Sequence, residues 1–389
     1  MTAAARSTGV IYLDHCATTT CLPEVVDAMR PYMDREFGNP SSAHVMGRRA
    51  RHAIERATQQ VASLIGARPE EIVFTSGATE ANNIALFSSF AHDERAPAGA
   101  LLCPIDHKST LDVGKELKRR GLAIDYLPVA ASGRVKPEDV MAALTAATRV
   151  VSLAHVNSEL GTIQPVDEIG RVTQRSGTWL HVDAVQSIGK LPMDVKACGI
   201  DMLSLSAHKL RGPKGVGALF VDAGVAPRLR PFIFGGGQNR LRSGTLPTPL
   251  IVGFGLACEM AQSTLALRHQ KAVALRSHFI ARLRQSVPDA VLNTDVSCSS
   301  PYIVNVRFGD IASEALVSGL HQVAISSGSA CNSAELKPSH ALTGVGLSAD
   351  QARASVRFCL DPDLDTETLD VAIGHLAFRL NSLRQEHYA

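Results

Sequence analysis

Lys209 stands where a lysine amine becomes chemically useful. It follows an apolar run, Met202-Leu-Ser-Leu-Ser206, and precedes a Gly/Pro-rich loop, Gly212-Pro-Lys-Gly215. Lysines usually solvate on helix faces; at a strand end the amine is desolvated and becomes a nucleophile. Lys214 in the loop is the rival, although loop lysines are mostly exposed. Asp183 ends a second apolar run, Trp179-Leu-His-Val182. A third, Glu71-Ile-Val-Phe74, leads into Thr75-Ser-Gly-Ala-Thr79 before a helix opens. A small-residue turn at a helix start offers free N–H groups and the helix dipole to an anion. Taken singly, the turn and Asp183 also read as ordinary helix caps. Together, a strand-end lysine, a strand-end carboxylate and a phosphate turn are what pyridoxal phosphate requires. The amine holds its aldehyde, the acid keeps its ring nitrogen protonated, and the turn cradles its phosphate.

These residues need a scaffold that brings strand ends together. Short apolar runs at 71–74, 100–103, 123–127, 150–154, 179–182, 202–205 and 216–221 alternate with helical patterns at 22–36, 47–65, 80–90, 110–120, 136–144, 165–176 and 249–287. That alternation predicts an α/β fold with a mostly parallel, doubly wound sheet, in which ligands sit beyond the carboxyl ends of the strands. After Pro249 the pattern changes: a long helix, a strand at 302–308, a helix at 313–320, a Ser/Gly/Ala stretch at 326–333, a strand at 354–360 and a final helix at 364–384. This predicts a smaller α+β domain. The expected division is a large domain over 16–257 and a small one formed by 1–15 and 258–389. No internal repeat or low-complexity tract is visible.

Composition bounds the class. The chain has 389 residues, with 45% hydrophobic and 20% charged, which excludes disordered and collagen-like chains. A formal charge of +2 marks no dedicated binder of nucleic acid or anionic membranes. The eight cysteines include no C-x-x-C pair, so zinc and thioredoxin patterns are absent and no metal site is expected. Reduced thiols in a cytosol are the expected state. The N-terminus lacks a signal-peptide core, and the apolar run at 250–258 stops at Glu259, short of a membrane span of about 20 residues. A soluble cytoplasmic protein is the expectation.

Over nearly its whole length the chain resembles the cysteine desulfurases of the class V aminotransferase superfamily, enzymes of fold-type I. The resemblance runs in order through Tyr12-Leu-Asp14, Ala17-Thr-Thr19, Phe37-Gly-Asn-Pro-Ser-Ser42, His44, Phe74-Thr-Ser-Gly-Ala-Thr-Glu80, His107, His181-Val-Asp-Ala184, Gln186-Ser187, Ser206-Ala-His-Lys209, Gly235-Gly-Gly237, Arg242-Ser-Gly-Thr245 and Ser326-Ser-Gly-Ser-Ala-Cys331. The last of these is the pattern of the nitrogen-fixation and iron–sulfur-cluster branch. The resemblance implies that Lys209 carries the cofactor and removes the α-proton of L-cysteine, and that Asp183 pairs with the ring nitrogen. It implies that Gln186 bonds the ring hydroxyl and that His107 stacks on the ring and shuttles protons. Ala78, Thr79, Ser206 and His208 would hold the phosphate, and Thr245 would reach the phosphate of the other subunit of a homodimer. Arg357 would grip the substrate carboxylate with Asn39 facing it, and the Cys331 thiolate would take the sulfur as a persulfide for an acceptor protein. That acceptor would serve cluster assembly, tRNA thiolation or DNA phosphorothioation; direct nucleic-acid and membrane binding are not expected. A selenocysteine lyase or β-lyase that does not use Cys331, and an inactive binding protein, are the alternatives.

The chain departs from the pattern in several places. His155-Val-Asn-Ser-Glu159 carries Ser158 where the family has a second Asn touching cofactor and substrate, so that contact is shorter or relayed by water. The stretch after Gly237 is one residue short. Beyond Arg357 the family's Ser-Leu-Gly-Arg becomes Cys359-Leu-Asp-Pro362. Of the other cysteines, Cys16 and Cys103 are expected nearest the site. The ending at Ala389, without the tail that housekeeping members use toward the cluster scaffold, implies a specialised acceptor.

Overall fold

The computed structural model describes residues 9–90, 98–309, 311–327 and 338–388. In chain order the strands are β1 (Ile11–Tyr12), β2 (Ile72–Thr75), β3 (Gly99–Leu102), β4 (Ala123–Tyr126), β5 (Thr148–Ala154), β6 (Trp179–Asp183), β7 (Met202–Ser206), β8 (Gly217–Val221), β9 (Val291–Leu292), β10 (Ile303–Arg307), β11 (Val323–Ala324), β12 (Ser326–Ser327) and β13 (Ser355–Cys359). β2 to β8 form a seven-stranded sheet in the order β2-β8-β7-β6-β5-β3-β4. The pairings among β4, β3, β5, β6 and β7 are parallel, while β8 runs antiparallel to both β7 and β2. β6, β7 and β8 are buried along their whole length, because apolar side chains cover both faces of the sheet. Leu180, Val182, Leu203, Leu205 and Phe220 face one core; Trp179, Met202, Leu219 and Val221 face the other.

A second sheet, β12-β13-β10-β9, belongs to the C-terminal region. Its core gathers Val304, Val306, Val356 and Phe358 with Leu369, Ile373 and Leu376 of the helix Thr366–Tyr388. Ile11 and Leu13 join this core, since β1 pairs in parallel with β11. The 39-residue helix Thr248–Ser286 links the two halves. Ile251, Phe254 and Ala257 pack in the large-sheet core, whereas Leu275, Phe279 and Leu283 pack in the C-terminal one. By length and composition alone this helix is long and apolar enough to cross a membrane, but its apolar side chains are divided between the two cores.

One expected helix is broken. The stretch 22–36 forms two pieces, Pro23–Met29 and Pro31–Asp34, because Pro31 has no N–H to continue the ladder. The departure Cys359-Leu-Asp-Pro362 also gains a structural explanation. Asp361 is buried and accepts from Arg211 and, at 3.0 Å, from Arg268. His15 lies 3.1 Å away, and Asp363 pairs with the same two arginines at 2.6 and 2.7 Å. Burial opposes the Asp361 charge, but His15, Arg211 and Arg268 hold the carboxyl well below its ordinary value of 3.8. The cluster ties the loop after β7 to the long helix and to the end of β13.

Asp361→Asn should therefore destabilise the fold by about 2 kcal/mol, measured by urea unfolding at pH 7. This is less than the usual penalty for breaking a buried pair, because Asp363 still partners both arginines. A depressed carboxyl contributes fully above its ordinary pKa and loses that contribution as pH falls through its folded value. The gap between wild type and variant should thus narrow below about pH 4; a gap that widens there would contradict the ion cluster.

Candidate active site

The carboxyl ends of β5, β6 and β7 open on one crevice, and the chain's N-terminal segment lies across it. Lys209 follows β7 in a single helical turn, Ala207–Lys209. Its Nζ donates to the carbonyls of Cys16 and, at 2.6 Å, of Ala17. Burial, reinforced by the Lys190 and Arg357 cations and opposed by Cys16, pushes this amine down to about 8. A sizeable neutral fraction at physiological pH makes it a nucleophile and a base. Lys214 makes no such contact.

Asp183 is buried at the end of β6. Its Oδ2 accepts from Asn82 Nδ2 at 2.8 Å, and its Oδ1 from the Val185 N–H at 3.0 Å. Asn82 also donates to Ser109 Oγ at 2.8 Å, and Ser109 Oγ is 2.8 Å from His107 Nδ1. Asp183, Asn82, Ser109 and His107 thus form one chain, with the His107 ring exposed at its end. Asp106 is buried beside it and accepts from the Ala154 N–H at 2.8 Å. Burial and the neighbouring Asp183 push Asp106 up to about 8, leaving it largely neutral at pH 7.

Gln186 is buried and donates to the Cys16 carbonyl at 3.0 Å. His208 Nδ1 lies 3.0 Å from Thr18 Oγ1, and burial, with Lys209 and Lys214, pushes its imidazole down to about 4. Ser206 is buried at the end of β7. Ala78 and Thr79 open the helix Ala78–Phe90, with Thr79 exposed. The turn before that helix is tightly backed, since a Cβ at Gly217 would sit 2.8 Å from Gly77 Cα. A Cβ at Gly77 itself would meet open space, so the turn's front is free to receive a group.

Arg357 lies on β13, opposite this crevice. Its Nη2 donates to Asp14 Oδ1 at 2.7 Å and its Nη1 to the Ser158 carbonyl at 3.0 Å, while Nε is buried without a partner. Burial opposes its charge, but Cys359, Cys16 and Asp14 hold the guanidinium firmly protonated. Ser158 meets Arg357 through its main chain. Asn39 and Thr245 are the predicted residues this chain does not bring to the crevice. Asn39 is exposed and caps its own loop by accepting from the Ser41 N–H at 2.9 Å, and Thr245 is exposed. Cys331 lies outside the described residues.

Sequence reasoning missed Asn82, Ser109, Asp14 and Lys190 as members of the site. Asn82 had a local signal: it lies three residues beyond Thr79, on the helix that the phosphate turn opens. Asp14 had only the Tyr12-Leu-Asp14 motif.

Comparisons with known proteins establish the family. The model of the aminotransferase class-V family matches residues 11–370. A human protein named cysteine desulfurase is 41% identical over 390 residues, covering 99% of this chain and 85% of its own. A solved NifS-like protein superposes with a TM-score of 0.89 at 34% identity, over 96% of this chain and 99% of its own. The structure of SspA in complex with cysteine does so with a TM-score of 0.82 at 36% identity, over 91% of this chain and 99% of its own. The chain therefore belongs to the class-V aminotransferase family, among its cysteine desulfurases. It is a pyridoxal-phosphate-dependent enzyme.

The residues present fit that cofactor. The partly neutral Lys209 amine suits its aldehyde, and the open turn at Gly77 with the first-turn N–H groups suits its phosphate. Buried Asp183 suits its ring nitrogen, and the partnerless Asn82 Oδ1 beside Asp183 marks a polar site with bonding capacity to spare.

Asn82→Ala should leave Asp183 in place but held by the Val185 N–H without its side-chain partner. Cofactor affinity should fall roughly tenfold, as expected for a lost hydrogen bond to a charged group, read by equilibrium dialysis of pyridoxal phosphate. Asp183→Asn should retain the cofactor through the phosphate turn yet lose most turnover. Unchanged turnover in Asp183→Asn would place the ring-nitrogen partner elsewhere.

Proposed function

We propose that this protein is a cysteine desulfurase that converts L-cysteine to L-alanine and carries the sulfur as a persulfide on Cys331. The observation that carries the reading is the Lys209 amine, pushed down to about 8 and aimed between the Cys16 and Ala17 carbonyls, with the Arg357 guanidinium nearby. Bound pyridoxal phosphate supplies an electron sink that lets the α-proton of the amino acid leave. Lys209 Nζ accepts that proton in its neutral form and returns it as an acid. Arg357 grips the substrate carboxylate, a pairing for which a guanidinium is suited by its fork of donors. Asp183, steadied by Asn82 and the Val185 N–H, faces the ring nitrogen. Gln186 serves the ring hydroxyl and His107 the ring face, while Ala78, Thr79, Ser206 and His208 serve the phosphate. Ser158 lines the substrate side through its main chain, leaving room for water where a longer amide would reach.

Cys331 Sγ, as thiolate, forms a bond to the substrate sulfur while the substrate Cβ–S bond breaks. The electron pair stays with carbon, which takes up a proton to give alanine. The persulfide then passes to an acceptor protein serving cluster assembly, tRNA thiolation or DNA phosphorothioation. The working unit is a homodimer in the cytoplasm, in which Thr245, exposed in one chain, reaches the cofactor phosphate of the other subunit, while Asn39 faces Arg357 at the substrate carboxylate. Residues 16–257 form the cofactor domain; 1–15 with 258–389 form the domain bearing Arg357 and Cys331.

Cys331→Ser should bind L-cysteine, seen as a change in the cofactor's visible absorbance, and then release no alanine. Wild-type protein given L-cysteine should gain one labile sulfur on the peptide containing Cys331, while Cys258→Ala and Cys298→Ala should keep most of the turnover. Release of alanine and sulfide by Cys331→Ser at the wild-type rate would make the enzyme a direct lyase.

A further inference from the structure

Cys16 and Cys359 are remote in sequence, yet they share one buried cluster and line the same cavity. The backbone brings them together. The Cys359 N–H donates to the Leu13 carbonyl at 2.8 Å, and Asp14 bridges Cys359 in parallel. A turn closed by the Ala17 N–H on the Asp14 carbonyl at 2.9 Å then folds Cys16 back over the strand end. Both residues are almost wholly buried in one small cluster with Val156, Leu191, Tyr302 and Ile303. Both also line an open cavity of about 210 Å³, together with His15, Lys190, Lys209 and Asp361. No group of three potential metal ligands exists among the described residues, so the pair is not explained as part of a metal site. The desulfurase reaction, as derived above, uses neither thiol.

We propose that Cys16 and Cys359 are a redox-active dithiol, which a hydroperoxide entering the cavity converts to a disulfide that latches the active site. The Cys16 thiolate attacks one peroxide oxygen, breaking the O–O bond and giving a sulfenic acid and hydroxide. The Cys359 thiol then attacks the Cys16 sulfur, forming the S–S bond as the sulfenic oxygen leaves as water. The two thiols lose two electrons and the peroxide gains them. Cys16 is the attacking partner. Burial would raise its thiol, but the adjacent Cys359 thiol and the Arg357, Lys190 and Lys209 cations bring it below its ordinary value, while burial keeps Cys359 well above. The S–S bond joins the segment whose carbonyls hold Lys209 Nζ to the strand carrying Arg357, stiffening base and carboxylate grip against each other. This consequence for turnover rests on the proposed desulfurase reaction; the bond itself does not.

The test uses holoenzyme treated with equimolar hydrogen peroxide. Free thiols are then alkylated in denaturant, and the protein is digested without reduction for mass spectrometry. The expected product is a linked pair of peptides containing Cys16 and Cys359, lighter by two hydrogens than their sum. It should disappear with dithiothreitol, be absent from Cys16→Ser and Cys359→Ser, and persist in Cys331→Ser. Recovery of Cys16 and Cys359 as separate peptides, alkylated or singly oxidised, would overturn the proposal, as would linkage of either to Cys331 instead. Alanine release should fall about tenfold on oxidation, as for a displaced catalytic group, and recover with dithiothreitol. Undiminished turnover with the linked peptide present would remove the latch.

Discussion

A lysine ammonium resists leaving water, and in this molecule that cost is set against only two main-chain carbonyls. The Cys16 and Ala17 carbonyls accept from Lys209 Nζ, and they belong to a segment anchored elsewhere. Leu13 packs in the C-terminal core and Asp14 holds Arg357, while Thr18 and Thr19 bond His208 beside the lysine. The segment therefore ties the strand-end amine of the large sheet to the guanidinium of the smaller one. Carbonyl dipoles stabilise an ammonium less than a carboxylate would, so burial still wins and the amine is pushed down to about 8. A full countercharge would have left it an inert cation.

Burial sorts the other ionisable groups around the crevice. Asp106 and Glu159 are pushed up to about 8 and about 7, mainly by desolvation. His155, His181 and His208 are pushed down to about 4, about 3 and about 4. Asp106 and the three histidines are chiefly neutral hydrogen-bonding parts at pH 7, while Glu159, near its midpoint there, accepts from Ser339 Oγ at 2.6 Å. Charge persists where partners repay desolvation: Arg357 with Asp14, and Asp361 with Arg211 and Arg268. The few permanent charges are thus placed at the carboxylate grip and at the seam between the two halves.

How much of this was legible in sequence follows from the range of each interaction. Strands of four residues or more carry their own apolar signature, and the seven of the large sheet fall where that signature places them. Lys209 and Asp183 were legible because strand ends are predictable and the sheet determines where its ends lead. The two-residue strands β1, β9, β11 and β12 have no periodicity to read, so the way the N-terminal segment joins the C-terminal region was invisible. Asp14 and Arg357 lie 343 residues apart, and Cys16 and Cys359 share one cluster only because the N-terminal segment is delivered to the end of β13. Asp361 looked like a defect in a familiar pattern; its meaning lies in Arg211 and Arg268, which no local spacing links to it.

The central claim is that the fold lowers the Lys209 amine well below an ordinary lysine before any cofactor arrives. The direct measurement is the pH dependence of acetylation of Lys209 by acetic anhydride in cofactor-free protein, followed by mass spectrometry of its peptide. The account predicts a midpoint near the value of about 8 set by burial. A midpoint near that of an exposed lysine, about 10.4, would mean that the crevice does not desolvate the amine.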